Sequence, residues 1–181
     1  MNIIKTELED VLIIEPEVHR DKRGYFIETW NLPRYQRFCF NKEFVQDSIS
    51  FSSQRVLRGL HYQFPNPQGK LIQVLQGKIF DVAVDIRKSS STFGCWTGVV
   101  LSSKNHRQFY IPEGFAHGFY VTSKTALVSY KFTHIYEPNG SRGILWNDPN
   151  ISVNWPGQEA VISDGDRKQP LLKNVLPEYL F

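Results

Sequence analysis

The sequence predicts an all-β protein of the jelly-roll kind, a sandwich or barrel with short peripheral helices. Three observations predict it. Apolar residues alternate with polar ones at period two along many short segments, turn-forming residues separate those segments, and only one stretch reads as a helix. At 181 residues the chain has the length of one domain and can bury roughly 70% of its unfolded surface. No linker, repeat or low-complexity tract divides it, so residues 1–181 read as a single domain.

In chain order, strands are expected at Val11–Ile14 and Gly24–Trp30, and a helix over Pro33–Phe40 with proline in its first turn. Further strands are expected at Lys70–Leu75, Trp96–Leu101, Gln108–Ile111, Gly118–Val121 and Ala126–Phe132. The clearest alternation lies between Lys78 and Arg87, where Phe80, Val82, Val84 and Ile86 face one way and Asp81, Ala83 and Asp85 the other. It predicts a strand buried on one face. Turns fall at Pro65-Asn-Pro67, Gly77, 89–92, Pro112-Glu-Gly114 and Pro138-Asn-Gly140. The serines of 48–53 read as a solvated loop or strand edge, and the chain beyond Gly157 as loop and terminal helix closing over the barrel.

Composition narrows the class. Apolar residues make up 41%, which excludes a disordered chain, and the net charge of +3 is scattered without a basic run, which disfavours nucleic acid as a partner. Cys39 and Cys95 are too few for a disulfide framework and read as reduced packing residues. Glu7, Glu9 and Asp10 interrupt the N-terminal segment, and no apolar run approaches the ~20 residues that span a bilayer, so a cytoplasmic protein without membrane association is expected.

Two segments mix His, Lys and Arg with apolar strand residues: Arg58-Gly-Leu-His61-Tyr-Gln63, followed by Gln68-Gly-Lys70, and Pro112-Glu-Gly-Phe-Ala-His117-Gly-Phe119. Three positions apart, Arg58 and His61 point to opposite faces of a strand unless a bend intervenes, whereas His61 and Gln63 share a face. A hairpin through Pro65-Asn-Pro67 would bring Lys70 opposite His61. Each residue alone reads as a packed or solvated side chain. Together, two histidines, a lysine and an arginine in one interior are costly to bury without a purpose. A metal is not expected, because Gln63 stands where a second histidine ligand would be and no Glu lies between His61 and Lys70. The pair Asp81/Asp85 reads as packing against basic partners, and His19 and His106 as exposed.

Val56-Leu-Arg-Gly-Leu-His-Tyr-Gln63, the Gln-Gly-Lys-Leu and Pro-Glu-Gly-Phe-Ala-His-Gly-Phe segments, Asp21-Lys-Arg-Gly-Tyr-Phe-Ile-Glu28 and Phe44-Val-Gln-Asp47 form an ordered set. So do Asp81-Val-Ala-Val-Asp-Ile-Arg87, Ser129-Tyr-Lys131, Gly143-Ile-Leu-Trp-Asn-Asp-Pro149 and Ile162-Ser-Asp-Gly-Asp166. With them the chain resembles, over nearly its full length, the dTDP-4-dehydrorhamnose 3,5-epimerase family. The resemblance implies a metal-free, cofactor-independent cupin-type jelly roll that inverts carbons 3 and 5 of dTDP-4-dehydro-6-deoxy-D-glucose through enolates. It implies His61 as base, Asp166 as the partner that orients it, Tyr130 as the phenol on the opposite face and Lys70 as the cation at the enolate oxygen. Arg23, Glu28, Gln46, Asp47, Ser48, Arg58, His117, Tyr136 and Lys168 match substrate-contacting positions. It also implies a homodimer that exchanges N-terminal strands, in which Arg23 and Glu28 would serve the partner's site. The chain departs from the family pattern at Ser48 and Ser141, where Asn and Glu are usual. The alternatives are a carbon-3-only epimerase, a metal-dependent oxygenase of the same fold and a non-catalytic sugar-binding jelly roll.

Overall fold

The computed structural model describes residues 1–37, 43–157 and 159–181. Thirteen strands are formed in these residues. They are β1 (Asn2–Lys5), β2 (Leu12–Glu15), β3 (Val18–Asp21), β4 (Gly24–Ile27), β5 (Gln46–Ser53), β6 (Leu57–Gln63), β7 (Lys70–Gln76), β8 (Lys78–Asp85), β9 (Trp96–Ser102), β10 (Gln108–Ile111), β11 (Phe115–Val121), β12 (Thr125–Phe132) and β13 (Ser141–Gly143). All but the β3–β4 hairpin fall into two antiparallel sheets, ordered β1-β2-β10-β7-β12-β5 and β13-β6-β11-β8-β9. The architecture is the all-β sandwich of the jelly-roll kind that the alternation predicts.

Between the sheets, Ile72, Phe109 and Val128 of the first meet Leu101, Phe119 and Val121 of the second, all buried. Each such side chain contributes roughly 1.5–3 kcal/mol by leaving water. The outer face of the second sheet is covered as well. Leu60, Val82, Val84 and Ile86 pack there against Ile144, Ile151, Leu172 and Leu180 of the C-terminal segment. That cover corrects two expectations. Strand β8 is buried on both faces from Ile79 onward apart from the partly buried Phe80, and the tail lies along a sheet as single turns (3₁₀ at Leu172–Asn174 and Pro177–Tyr179) instead of closing over the barrel in a terminal helix.

The first helix, α1 (Leu32–Gln36), is shorter than expected. Asn31 caps its start by accepting from the Arg34 amide at 3.2 Å, and Tyr35, fully buried, bonds the Thr29 carbonyl and Gln108. The expected continuation through Phe40, and Cys39 with it, lies outside the described residues. Cys95 is free but exposed, so it is no packing residue, and His106 is 6% exposed where an exposed side chain was expected. His106 is instead covered by Tyr25, whose ring centroid lies 4.7 Å away. Among the described residues no helix is long and apolar enough to cross a membrane.

Candidate active site

The site is organised by an irregularity in β6. Against β11, His61 faces His117 while Arg58 faces Phe119, so three steps along one strand match two along the other. The extra residue on β6 reverses the alternation, and Arg58, His61 and Gln63 come to line one cavity of about 450 Å³. Gly59 makes this possible. Its φ of +126° belongs to glycine, and a Cβ there would stand 2.6 Å from the Gly118 Cα.

His61 Nε2 lies 2.6 Å from Asp166 Oδ1. Asp166 belongs to α2 (Asp164–Arg167), whose N-cap Ser163 accepts from the Asp166 amide at 3.1 Å and so fixes where the carboxylate stands. Burial works against the Asp166 charge, but the hydrogen bond and charge of His61, helped by the Gly59 amide and Ser163, hold its carboxyl below the usual range. With Nε2 occupied by the carboxylate, Nδ1 is the nitrogen of His61 left to act as a base.

The opposite wall comes from the other sheet. Lys70 opens β7, is 6% exposed and donates from Nζ to the His61 carbonyl at 3.1 Å. The Pro65–Pro67 turn therefore does bring Lys70 to His61, but by carrying the chain across the sandwich instead of forming a hairpin. Burial pulls the Lys70 ammonium down to about 8, partly offset by the charge of Asp81. Tyr130 of β12 is 8% exposed, shares a 2.8 Å hydrogen bond with Ser50 of β5, and is pushed well above the ordinary phenol range by burial. It stays a neutral phenol at any physiological pH.

Beneath these groups His117 Nε2 lies 2.8 Å from Asp81 Oδ1, and both are buried. Asp81 Oδ2 has no hydrogen-bond partner among the described residues. Burial raises the Asp81 carboxyl and lowers the His117 imidazole. Among the described residues no group of three or more His, Cys, Asp or Glu side chains could hold a metal ion.

Ser48, Gln46, His117 and Tyr136 also line the cavity, and the Arg58 guanidinium reaches over to β5, bonding Ser52 Oγ at 3.1 Å. Four expected contacts stand elsewhere in this chain. Asp47 points outward by strand alternation and pairs with Lys131 at 2.8 Å. Arg23 sits exposed at the β3–β4 turn beside Asp21. Glu28 pairs with Arg34 at 3.3 Å, and Lys168 ends α2 on the surface. Sequence reasoning gave no role at the cavity to Ser50, Gln68 or Phe132. The signal for Ser50 was present: Gln46, Ser48, Ser50 and Ser52 alternate with Ile49 and Phe51, marking a strand whose polar face is turned inward.

A jelly roll whose cavity sets a histidine–carboxylate pair against a lysine and a neutral phenol from the facing sheet has the layout of a proton-transferring isomerase. The dTDP-4-dehydrorhamnose 3,5-epimerase family model matches residues 5–174. The chain is 52% identical to the dTDP-4-dehydrorhamnose 3,5-epimerase of Methanothermobacter thermautotrophicus over 98% of its own length and 97% of that protein's. It is 54% identical to the Shigella flexneri enzyme of that name, over 92% and 93%. The crystal structure of a Legionella pneumophila dTDP-6-deoxy-D-glucose-3,5-epimerase in complex with dTDP-4-keto-L-rhamnose superposes with a TM-score of 0.97 at 48% identity, covering 99% of this chain and 96% of that one. The chain belongs to the dTDP-4-dehydrorhamnose 3,5-epimerase family.

Proposed function

We propose that this chain inverts carbons 3 and 5 of dTDP-4-dehydro-6-deoxy-D-glucose to give dTDP-4-dehydro-L-rhamnose, a step of dTDP-L-rhamnose biosynthesis in the cytoplasm, using residues 1–181 as one catalytic unit and no cofactor. The observation that carries this reading is the His61–Asp166 pair, 2.6 Å apart, set against Lys70 and Tyr130 from the other sheet.

The carbonyl at carbon 4 acidifies the hydrogens on carbons 3 and 5. His61 Nδ1 takes the proton from one face, and Asp166 stabilises the imidazolium that forms. Negative charge gathers on the carbon-4 oxygen, where the Lys70 ammonium supplies a buried point charge that needs no reorganisation. Tyr130 returns a proton from the opposite face, which inverts the centre. His61 then gives its proton to solvent and the Tyr130 phenolate takes one back, which restores both groups, and the cycle repeats at the second carbon. Arg58, Gln46, Ser48, His117 and Tyr136 hold the substrate, a guanidinium suiting its pyrophosphate.

The working unit is a homodimer with exchanged N-terminal strands. Two features support it: the exposure of Tyr25 and Phe26 on the β3–β4 hairpin (55% and 69%), and the outer edge of β5, unpaired among the described residues, with Ile49 and Phe51 exposed. In that unit Arg23, Glu28, Asp47 and Lys168 would complete the nucleotide contacts.

Proton NMR of the substrate with the protein in deuterium oxide tests the reading. Deuterium enters at carbons 3 and 5 with the unaltered chain, and His61→Asn abolishes exchange at both, a loss of about a thousandfold or more. Tyr130→Phe keeps exchange while net inversion falls about a hundredfold. Exchange at carbon 3 alone would make the chain a monoepimerase. Binding without exchange would make it a sugar-binding jelly roll.

A further inference from the structure

Residues 134–137, between β12 and the 3₁₀ turn at Pro138–Gly140, form a strap at the mouth of the cavity. No side chain in this strap is buried, and Ile135 and Tyr136 are more than half exposed, so packing does not fix it. Its backbone belongs to no sheet ladder. Three glutamines from outside the strap bond it instead. Gln68 Nε2 donates to the His134 carbonyl at 2.8 Å, and Gln46 Oε1 accepts from the Tyr136 amide at 2.7 Å. Gln63 bonds it twice, donating from Nε2 to the Ile135 carbonyl at 3.1 Å and accepting from the Glu137 amide at 2.8 Å. The second Nε2 proton of Gln63 goes to the Asn66 carbonyl at 2.7 Å.

Gln63 is 3% exposed, and both of its amide protons and its amide oxygen are bonded to backbone. Two carbonyls and one amide can be met together only by a carboxamide. A carboxylate would face two carbonyl oxygens, and a hydrocarbon would leave all three groups without their partner. A glutamine at a place where jelly rolls of this kind can carry a metal-binding histidine thus makes three bonds to the chain around it. The strap in turn presents Tyr136, which lines the cavity with its ring half exposed and ready to cover a ligand.

We propose that Gln63 is a positioning residue for substrate binding: with Gln46 and Gln68 it clamps the 134–137 backbone and thereby holds Tyr136 over the bound nucleotide sugar. The inference rests on the epimerase reading for the identity of that ligand. It makes the strap a determinant of substrate affinity and leaves the proton-transfer groups untouched, since Gln63 bonds neither His61, Lys70 nor Tyr130.

The test compares the full-length protein with Gln63→Met by steady-state kinetics and by amide hydrogen exchange read over residues 134–138. The variant should exchange the Tyr136 and Glu137 amides about tenfold faster or more, raise KM about tenfold, and keep kcat within about threefold. Unchanged amide exchange, or a fall in kcat at constant KM, overturns the proposal. If Gln63→Met does not fold, Gln68→Met, whose side chain is only partly buried, should shift the same quantities in the same direction by about threefold, and no shift overturns it. Failure of the unaltered chain to epimerise would sink the functional reading alone, because the amide exchange reports on the clamp without substrate.

Discussion

Lys70 shows what the site costs at the level of a single residue. Its ammonium is buried, and that burial pulls its ionisation from the ordinary lysine range down to about 8. The folded value lies below the unfolded one, so burying the charge opposes folding by about 3 kcal/mol at pH below 8, and that penalty fades as pH rises toward the unfolded value. In the proposed reaction the charged form is the one that would meet the enolate. Activity should therefore decline on the alkaline side with a midpoint of about 8, measured as kcat/KM against pH, which reads the free enzyme. Lys70→Met should lose about a hundredfold or more in activity while melting no lower than the parent. A parent profile flat through pH 9 would remove Lys70 from the reaction. Such a residue is legible in sequence only in part. A lysine opening an apolar strand equally describes one that snorkels to solvent, and its partners, the His61 carbonyl and Asp81, lie on the facing sheet. Asp81 was legible as a carboxylate paired with a basic group, but its depth, beneath the cavity beside His117, was not.

Among the elements, β6 carries the most consequence. Strict alternation sends Arg58 and His61 to opposite faces, and a single extra residue at Gly59 brings them together. Alternation marks strands well but says nothing of where one slips against its neighbour, since that is settled by the approach of two backbones. Gly59→Ala should therefore be severe. Its Cβ would meet the Gly118 Cα at 2.6 Å and the His117 carbonyl at 2.8 Å, both backbone. The expected cost is about 2–4 kcal/mol in urea unfolding, and the variant that remains folded should lose activity through a displaced His61. A variant that keeps both stability and turnover would show that the bulge does not set the site. The strands read most clearly from sequence were β7 to β12, where alternation or apolar runs are long. The equally short β2, β4 and β10 were read from their apolar residues, whereas β1, β3 and β13 were missed, the last two because they are mostly polar. Strand β5 was read as edge or loop, and the structure makes it an edge strand that turns its serines inward.

Over the whole molecule, β5 lines the cavity from the end of its sheet, and the hairpin bearing Arg23 contributes nothing to that lining within one chain. The dimer reading makes a sharp prediction. Arg23→Ala and His61→Asn should each be nearly inactive alone. Once the two are mixed and allowed to exchange subunits, roughly a quarter of the sites regain both groups, because half the dimers are hybrids with one intact site. No recovery, with subunit exchange verified by light scattering or labelled chains, would place Arg23 in its own chain's site or in none.

The two sheets also divide the proposed chemistry between them. His61, Arg58 and His117 come from one layer, and Lys70, Tyr130 and Ser50 from the other, with Ile72, Phe109, Leu101 and Phe119 packed between. A sugar ring held in the gap shows one side to each layer. The handedness of the product would then follow from which layer takes and which gives each proton, and the close-packed hydrocarbon between the sheets, which reaches the cavity at Phe119, is the gauge block that keeps the two layers at a fixed spacing.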